Sequence, residues 1–287
     1  ISTRDWSSDV CSSDLVPITL GAEFSAFAEA FGRDRWRTFK CEERLRTVNL
    51  GGTAVGSGLA APRDYIFRVT DQLRAITGLG LARAENLMGE TANADSFVEV
   101  SGILKAMASN LIKVANDLRL MSLLGEIVLP KLQTGSSIMP GKVNPVLLEA
   151  VMQAGMKVTA NDGLVADAVS RATFQINEFM PLLSCALLES LDILNAAAKK
   201  FAVFADLIEA DEEACRRELD RADGIVTAFV PLVGYDRAAG VLEEFRRQGR
   251  ANLREFLEET FGKETVSKVL SPQNLMSLGY REHADNA

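Results

Sequence analysis

The stretch FVEVSGILKAMASNLIKVANDLRLM, residues 97–121, decides the fold class. Its large apolar residues recur at alternating steps of three and four positions, which places them along one face of an α-helix of several turns. They are Phe97, Val100, Leu104, Met107, Leu111, Val114, Leu118 and Met121. A helix with such a stripe requires partner helices that cover it.

Helical rather than alternating spacing of apolar residues extends over most of the chain, so the sequence predicts an all-α fold. Pro62 suits the first turn of a helix, and Gly51 suits a helix end. The predicted helices span residues 22–48, 63–76, 94–122, 146–169 and 178–205. Helices of this length favour a long central helix bundle.

Near Ala210 the pattern changes to shorter and more charged helical segments. Breaks are predicted at residues 231–234, at Gly249 and at Gly262. We therefore expect a central helix-bundle domain over residues 16–209 and a small helical C-terminal domain over residues 210–287.

The chain has 287 residues, a formal net charge of −8 and 47% hydrophobic residues. This length and hydrophobic content allow a sizeable core, so we expect a globular protein. The negative charge and the lack of any basic run argue against a nucleic-acid partner. An acidic protein that acts on an anionic substrate needs locally placed cations instead.

The cysteines Cys11, Cys41, Cys185 and Cys215 show no paired metal-ligand spacing, and the single histidine, His283, lies near the C-terminus. Neither a metal site nor a disulfide framework is expected. We also expect no apolar run of membrane-spanning length and no leader segment. These features predict a cytoplasmic protein with reduced thiols and no membrane partner.

Residues 135–145, GSSIMPGKVNP, combine glycines, prolines, hydroxyls, an amide and a cation in one segment. Gly135 and Gly141 permit backbone conformations that other residues avoid, and the prolines prevent a helix from continuing through the segment. An ordered loop between helices could place the Ser136 hydroxyl and the Lys142 ammonium around one carboxylate. The alternative is a linker rich in serine, glycine and proline.

This segment resembles the signature loop of the fumarase/aspartase superfamily, whose members eliminate a leaving group from succinyl-type substrates to release fumarate. Residues 48–58 (VNLGGTAVGSG) and 115–120 (ANDLRL) also resemble family segments, in the family's order. The resemblance can be followed from Val16 to about Arg281. It implies the family's long helix bundle, followed along the chain by the small helical domain.

Residues 61–65 (APRDY) and 271–276 (SPQNLM) look more like aspartate ammonia-lyases than fumarate hydratases. The resemblance therefore implies a lyase that converts L-aspartate into fumarate and ammonia without an organic cofactor. The alternative within the superfamily is a class II fumarate hydratase. An alternative from another class is a non-catalytic helical assembly protein that keeps the bundle for association.

The resemblance also implies roles for five residues. Ser136 would be the general base that takes the C3 proton and leaves an aci-carboxylate. Lys142 and Asn144 would bind a carboxylate of the small dicarboxylate substrate, and Ser137 would add a binding contact. Glu149 matches a family carboxylate that holds a catalytic histidine.

Each of these residues also has a structural interpretation. Ser136 could cap a helix, Lys142 could be a solvated surface charge, and Asn144 could form a turn before a proline. Glu149 could be a first-turn glutamate that is favoured by the helix dipole. Their combination at the family's spacing favours the catalytic interpretation.

Each family active site combines three regions from three subunits of a homotetramer, so the resemblance implies self-association. We expect the histidine region and the Thr/Ser-rich region upstream of Val16, so residues 16–287 alone should be inactive. Residues 122–127 lack several family residues that include a Gly-Pro-Arg run. Residues 1–15 resemble the translation of a sequencing-library adapter, which predicts that resequencing across Leu15 and Val16 replaces them.

Overall fold

The computed structural model describes residues 16–279, and these residues are mainly α-helical, which confirms the predicted all-α class. A 3₁₀ helix spans Asp223–Phe229. The α-helices are α1 (Leu20–Arg44), α2 (Arg63–Thr77), α3 (Leu87–Ala92), α4 (Asp95–Leu124), α5 (Val146–Ser170), α6 (Met180–Ala205), α7 (Glu212–Arg221), α8 (Val230–Val233), α9 (Tyr235–Gln248), α10 (Leu253–Phe261), α11 (Lys263–Val269) and α12 (Pro272–Leu275). The strands are β1 (Thr47–Val48), β2 (Ala82–Arg83), β3 (Ile127–Val128) and β4 (Glu209–Ala210).

The chain forms two compact units. The larger unit contains Glu29–Leu123 and Leu129–Glu209. Among the described residues, the smaller unit contains residues 16–28, 124–128 and 210–279. The assignment of folding domains to residues 16–209 and 210–287 stays a prediction.

Helix α4 belongs to the larger unit, and its apolar stripe is covered as the sequence predicts. Leu104, Leu111 and Leu118 are each 2% exposed. The flanking stripe residues Val100 and Val114 are also buried. Burial of a full leucine side chain contributes roughly 1.5–3 kcal/mol, so this stripe is a main source of the unit's stability.

Side-chain contacts show that α1 and α4 are antiparallel neighbours. The Asn110 Nδ2 donates to Asp34 Oδ2 at 2.8 Å. Ten residues further along α1, Arg44 pairs with Glu99 at 2.9 Å. Asp34 is only 2% exposed, and its partners offset much of the cost of burying the carboxylate.

Helices α4 and α5 are also antiparallel. The Asp162 carboxylate accepts from Ser101 Oγ at 2.8 Å and from Lys105 Nζ at 2.5 Å. Closer to the start of α5, Gly155 lies against Ile112 and the Ala108 carbonyl of α4. A Cβ atom at Gly155 would be 2.6 Å from Ile112 Cγ1, so only glycine permits this approach of the two helices.

A polar contact lies within the apolar boundary between α5 and α6. Asn161 is 1% exposed, and its Nδ2 donates to Glu189 Oε2 at 2.8 Å and to Ser190 Oγ at 3.1 Å. Lys157 pairs with the same glutamate at 2.9 Å. Asn161 and Ser190 are the buried members of this group, and their hydrogen bonds offset the cost of burying their polar atoms.

The end of α1 differs from the prediction. The predicted helix over residues 22–48 ends at Arg44, and Thr47–Val48 instead form β1, which pairs in parallel with β2. The Ala82 amide donates to the Arg46 carbonyl at 2.8 Å, and the Ala84 amide donates to the Val48 carbonyl at 3.1 Å. Threonine and valine are β-branched, which favours the extended conformation once a partner strand is available.

Helix α6 is long and apolar enough to cross a membrane by length and composition alone, with a mean hydropathy of 1.3. The expectation that no segment reaches this composition was therefore wrong. Leu183, Leu187 and Leu194 of α6 are buried inside the larger unit, and the helix packs along α5. A core helix of a bundle reaches the same hydropathy as a membrane span, because both are mainly apolar.

The helices from α7 onward are short, as the sequence predicts, and they have a core of their own. The predicted break at residues 231–234 was wrong over its first three residues, because α8 spans Val230–Val233 and only Gly234 interrupts the helices. Phe229 is fully buried, and its ring stacks on Phe261 with the centroids 5.3 Å apart. Gly249 and Gly262 follow the last residues of α9 and α10, as the predicted breaks require. The core residues are Ile225, Val226, Phe229, Ala238, Phe245, Leu253, Phe256, Leu257, Val266, Val269 and Leu270.

We predict opposite effects for two glycine substitutions on α5. Gly155→Ala should lower the free energy of unfolding by roughly 1–3 kcal/mol, because the new methyl group overpacks the contact with α4. Gly163→Ala should raise it by roughly 0.5–1 kcal/mol, because this glycine meets nothing within 4 Å and alanine favours the helix. Urea titrations of both variants measure the difference, and shifts of the same sign would contradict the close approach of α4 and α5.

Candidate functional site

The candidate site is the signature loop, residues 135–145, at the end of the connection that runs from β3 to α5 over residues 129–145. No helix or strand forms within this connection, and the glycines and prolines of the loop predict that. The connection begins five residues after α4 ends, and α5 begins directly after Pro145. The antiparallel pair of α4 and α5 therefore carries both ends of the connection.

The neck of the loop closes between Gly135 and Lys142. The Gly135 amide donates to the Lys142 carbonyl at 2.8 Å, and Asn144 Nδ2 donates to the Gly135 carbonyl at 3.4 Å. A Cβ atom at Gly135 would lie 2.7 Å from the Lys142 carbonyl oxygen. Glycine is needed here because two backbone segments approach closely, whereas Gly141 is needed for its φ of 81°.

The Ser136 hydroxyl lies inside the turn that follows the neck. Its Oγ accepts hydrogen bonds from the backbone amides of Ile138 at 3.2 Å and Met139 at 3.0 Å. The side chain of a helix N-cap accepts amides in the same pattern, but no helix begins directly after Ser136. Two amide donors on one hydroxyl oxygen stabilise negative charge on that oxygen.

Lys142 and Ser137 are exposed side chains of the loop. Lys142 forms no ion pair with the carboxylates of residues 16–279, so its ammonium can receive an external anion. Its own amide donates to the Met139 carbonyl at 3.3 Å, which fixes the backbone from which the side chain projects. The loop thus combines an available cation with a hydroxyl oxygen that faces backbone amides.

Glu149 belongs to the first turn of α5 rather than to the loop. Its amide donates to the Pro145 carbonyl at 3.1 Å, and its Oε1 lies 3.9 Å from Nη2 of Arg119 on α4. Within residues 16–279 it makes no hydrogen bond or ion pair with Ser136, Ser137, Lys142 or Asn144. The loop residues are therefore grouped around the neck, and Glu149 is held separately by α4.

Sequence reasoning assigned no role to Arg119. The residue lies within the quoted segment at residues 115–120, but its contact with Glu149 joins positions that are 30 residues apart. The available signal was one of three cations next to the apolar stripe of α4, the others being Lys105 and Lys113. Such a residue is usually a solvated charge, so spacing alone could not identify the pair.

The segment just before the loop contains a half-buried carboxylate in the smaller unit. The Glu126 carbonyl accepts from the Asp211 amide at 2.9 Å and from Cys215 Sγ at 3.4 Å. Burial of its side chain, with added repulsion from Glu218 and Glu23, raises the pKa of Glu126. These backbone contacts hold the strand that leads into the loop.

Within residues 16–279 no cluster of three or more His, Cys, Asp or Glu side chains is arranged to hold a metal ion. Cys41, Cys185 and Cys215 are free thiols. His283 and Cys11 lie outside the described residues.

Comparison with known proteins agrees with the resemblance of the loop. A family model described as lyase matches residues 13–160. The aspartate ammonia-lyase of Helicobacter pylori is 38% identical over 280 residues, which cover 95% of this chain and 60% of that protein. The class II fumarate hydratase of Mycobacterium tuberculosis is 42% identical over 253 residues, which cover 84% of this chain and 53% of that protein.

Among solved structures, a fumarate lyase:delta crystallin from Brucella melitensis bound to cobalt superposes with a TM-score of 0.83. It is 39% identical, and the match covers 90% of this chain and 57% of that one. The fold, the loop and these matches define a lyase-type helix bundle. The chain belongs to the fumarase/aspartase superfamily, and it spans about 60% of the length of the relatives that it matches.

We predict that Gly135→Ala opens the neck of the loop. The added methyl group would overlap the Lys142 carbonyl, and overpacking of this kind costs roughly 1–3 kcal/mol. Hydrogen exchange at the amide of residue 135 should accelerate at least about fivefold. Gly163→Ala serves as the control and should leave that amide unchanged, whereas equal exchange in both variants would contradict a closed neck.

Proposed function

We propose that this chain is part of an aspartate ammonia-lyase, which converts L-aspartate into fumarate and ammonia. The observation that carries the proposal is the Ser136 hydroxyl oxygen, which accepts two backbone amide hydrogen bonds. Because those amides favour negative charge on the oxygen, they favour the alkoxide that a serine base requires. The similarity to aspartate ammonia-lyases over most of the chain supports this choice of substrate.

In this reaction the Ser136 alkoxide removes the proton from C3 of L-aspartate. The electron pair of that C–H bond moves into the adjacent carboxylate and forms an aci-carboxylate. The Lys142 ammonium and the Asn144 side-chain amide stabilise the added negative charge of the aci-carboxylate, and Ser137 contributes a further contact with the substrate. Collapse of the aci-carboxylate forms the C2–C3 double bond and expels the amine from C2, and ammonium results when the abstracted proton is returned.

In the proposed reaction, Glu149 orients a histidine. The sequence upstream of residue 16 would supply that histidine. The residues of the loop need no organic cofactor and no metal for these steps, since hydrogen-bond donors and a cation meet the developing charge. We place the enzyme in the cytoplasm, where its free thiols would stay reduced.

A class II fumarate hydratase is the second candidate, and a specific observation favours it. The Mycobacterium tuberculosis enzyme is 42% identical to this chain, whereas the Helicobacter pylori aspartate ammonia-lyase is 38% identical over a longer part. Hydration uses the same carboxylate-binding loop, because water adds across the double bond through the same type of aci-carboxylate. The two candidates differ in the group that leaves or enters at C2.

We predict that Ser136→Ala lowers turnover by about 10²–10⁴-fold, which is the usual contribution of a positioned base. The measurement is ammonia release from L-aspartate beside malate formation from fumarate, with residues 16–287 joined to their native upstream sequence. Ser170→Ala, an exposed hydroxyl at the end of α5, is the control and should keep full activity. Activity with fumarate alone would favour the hydratase.

Unchanged turnover in Ser136→Ala would refute the serine base. Absence of turnover with both substrates, in a protein of native helical content, would favour the non-catalytic assembly protein. Circular dichroism of each variant separates lost chemistry from lost structure, because Ser136 Oγ also holds the turn of the loop.

We also propose that the larger unit self-associates into a homotetramer. Large apolar side chains are exposed along the bundle, including Phe39 at 72%, Val203 at 67% and Leu188 at 61%. An apolar groove of about 590 Å³ lies between α1, α4 and α6 and is lined by Phe31 and Phe201. Exposed apolar surface of this extent is typical of a protein interface.

We predict that light scattering after size exclusion gives a mass four times the 31.1 kDa of one chain. Leu188→Glu should shift the population toward smaller species, because it places a charge on the exposed apolar face of α6. Lys200→Glu, an exposed polar position on the same helix, should keep the tetramer. A folded monomer of the unaltered chain would contradict this proposal.

A further inference from the structure

Arg119 links the helix that precedes the signature loop to the helix that follows it. Its Nη2 lies 3.9 Å from Glu149 Oε1, and its Nη1 donates to Met152 Sδ at 3.6 Å. Both partners belong to the first two turns of α5. One side chain of α4 therefore contacts α5 immediately beyond the end of the loop.

Stability alone gives a poor account of this arginine. Its Nε–H is buried and has no acceptor among residues 16–279, and a thioether sulfur is only a weak acceptor. A buried donor without a partner costs roughly 1–3 kcal/mol. Because an apolar side chain would fill the space beside Met152 without that cost, the charge of Arg119 requires another explanation.

The Glu149 carboxylate supplies that explanation. Neither of its oxygens accepts a hydrogen bond from residues 16–279, and a separation of 3.9 Å gives Coulomb attraction without a directional hydrogen bond. The arginine therefore restrains the carboxylate through charge. The lone pairs of the carboxylate stay free for another donor.

We propose that Arg119 is a positioning residue of the reaction, which acts through Glu149 and touches no substrate. It holds the Glu149 side chain while leaving both carboxylate oxygens available to the group that Glu149 orients. This inference rests on the proposed function. The proposed function gives Arg119 no role, and this inference adds one for that residue of α4.

A double-mutant cycle tests the positioning role in the enzyme joined to its upstream sequence. Arg119→Met should lower kcat about tenfold with little change in KM, a typical coupling between contacting residues. In the Glu149→Gln background the same substitution should have no further effect. Arg119→Lys should retain more of kcat than Arg119→Met does. Arg171→Met, which breaks an exposed ion pair at the end of α5, is the control and should keep the kcat of the unaltered enzyme.

Nuclear magnetic resonance of the arginine Nε–H groups tests the contact without any turnover. The Arg119 resonance, identified by its loss in Arg119→Lys, should exchange slowly with water because the group is buried. It should also shift in Glu149→Gln, whereas the exposed Arg171 resonance should not. An Arg119 resonance that exchanges fast with water and keeps its chemical shift in Glu149→Gln would refute the contact between Arg119 and Glu149.

The two measurements distinguish failure of the inference from failure of the proposed function. If Arg119→Met lowers kcat equally with Glu149 intact and in the Glu149→Gln background, the positioning role is overturned, because Arg119 then acts independently of Glu149. No turnover with either substrate would overturn the proposed function and the positioning role together. The resonance would still establish or refute the contact in that case.

Discussion

The antiparallel packing of α4 against α5 is the constraint on which the rest of the larger unit depends. Gly155 allows the two backbones to approach, and the Asp162 carboxylate binds Ser101 and Lys105 across the same boundary. The signature loop connects these two helices through a short strand segment. Its geometry is therefore determined first by how the helices pack and only then by its own residues.

The loop itself is ordered by a few short backbone contacts rather than by a core. The neck between Gly135 and Lys142 and the turn around Ser136 use carbonyl and amide groups that would otherwise bind water. The Lys142 ammonium is exposed and has no carboxylate partner among the described residues, so it takes no part in holding the loop. Ser136 and Asn144 differ from Lys142, because the Ser136 hydroxyl accepts the amides of the turn and the Asn144 side chain closes the neck.

The sequence predicts the helices well because apolar periodicity reports burial directly, and the bounds of α2, α4, α5 and α6 agree within two residues. The last residues of predicted helix 22–48 were wrong, since the pairing of Thr47–Val48 with β2 depends on a distant partner. The loop residues follow from local composition and resemblance. The contact of Arg119 with Glu149 could not follow, because it exists only after two helices pack.

The polar side chains inside the bundle have a consequence for its alignment. If α5 slid along α4 by one helical turn, Asp162 would move about 5.4 Å and lose both Ser101 and Lys105. Asn161 would lose its acceptors on α6 in the same slip. Apolar side chains alone tolerate such sliding, so these two adjacent residues set the register of three helices and thereby the span that the loop must bridge.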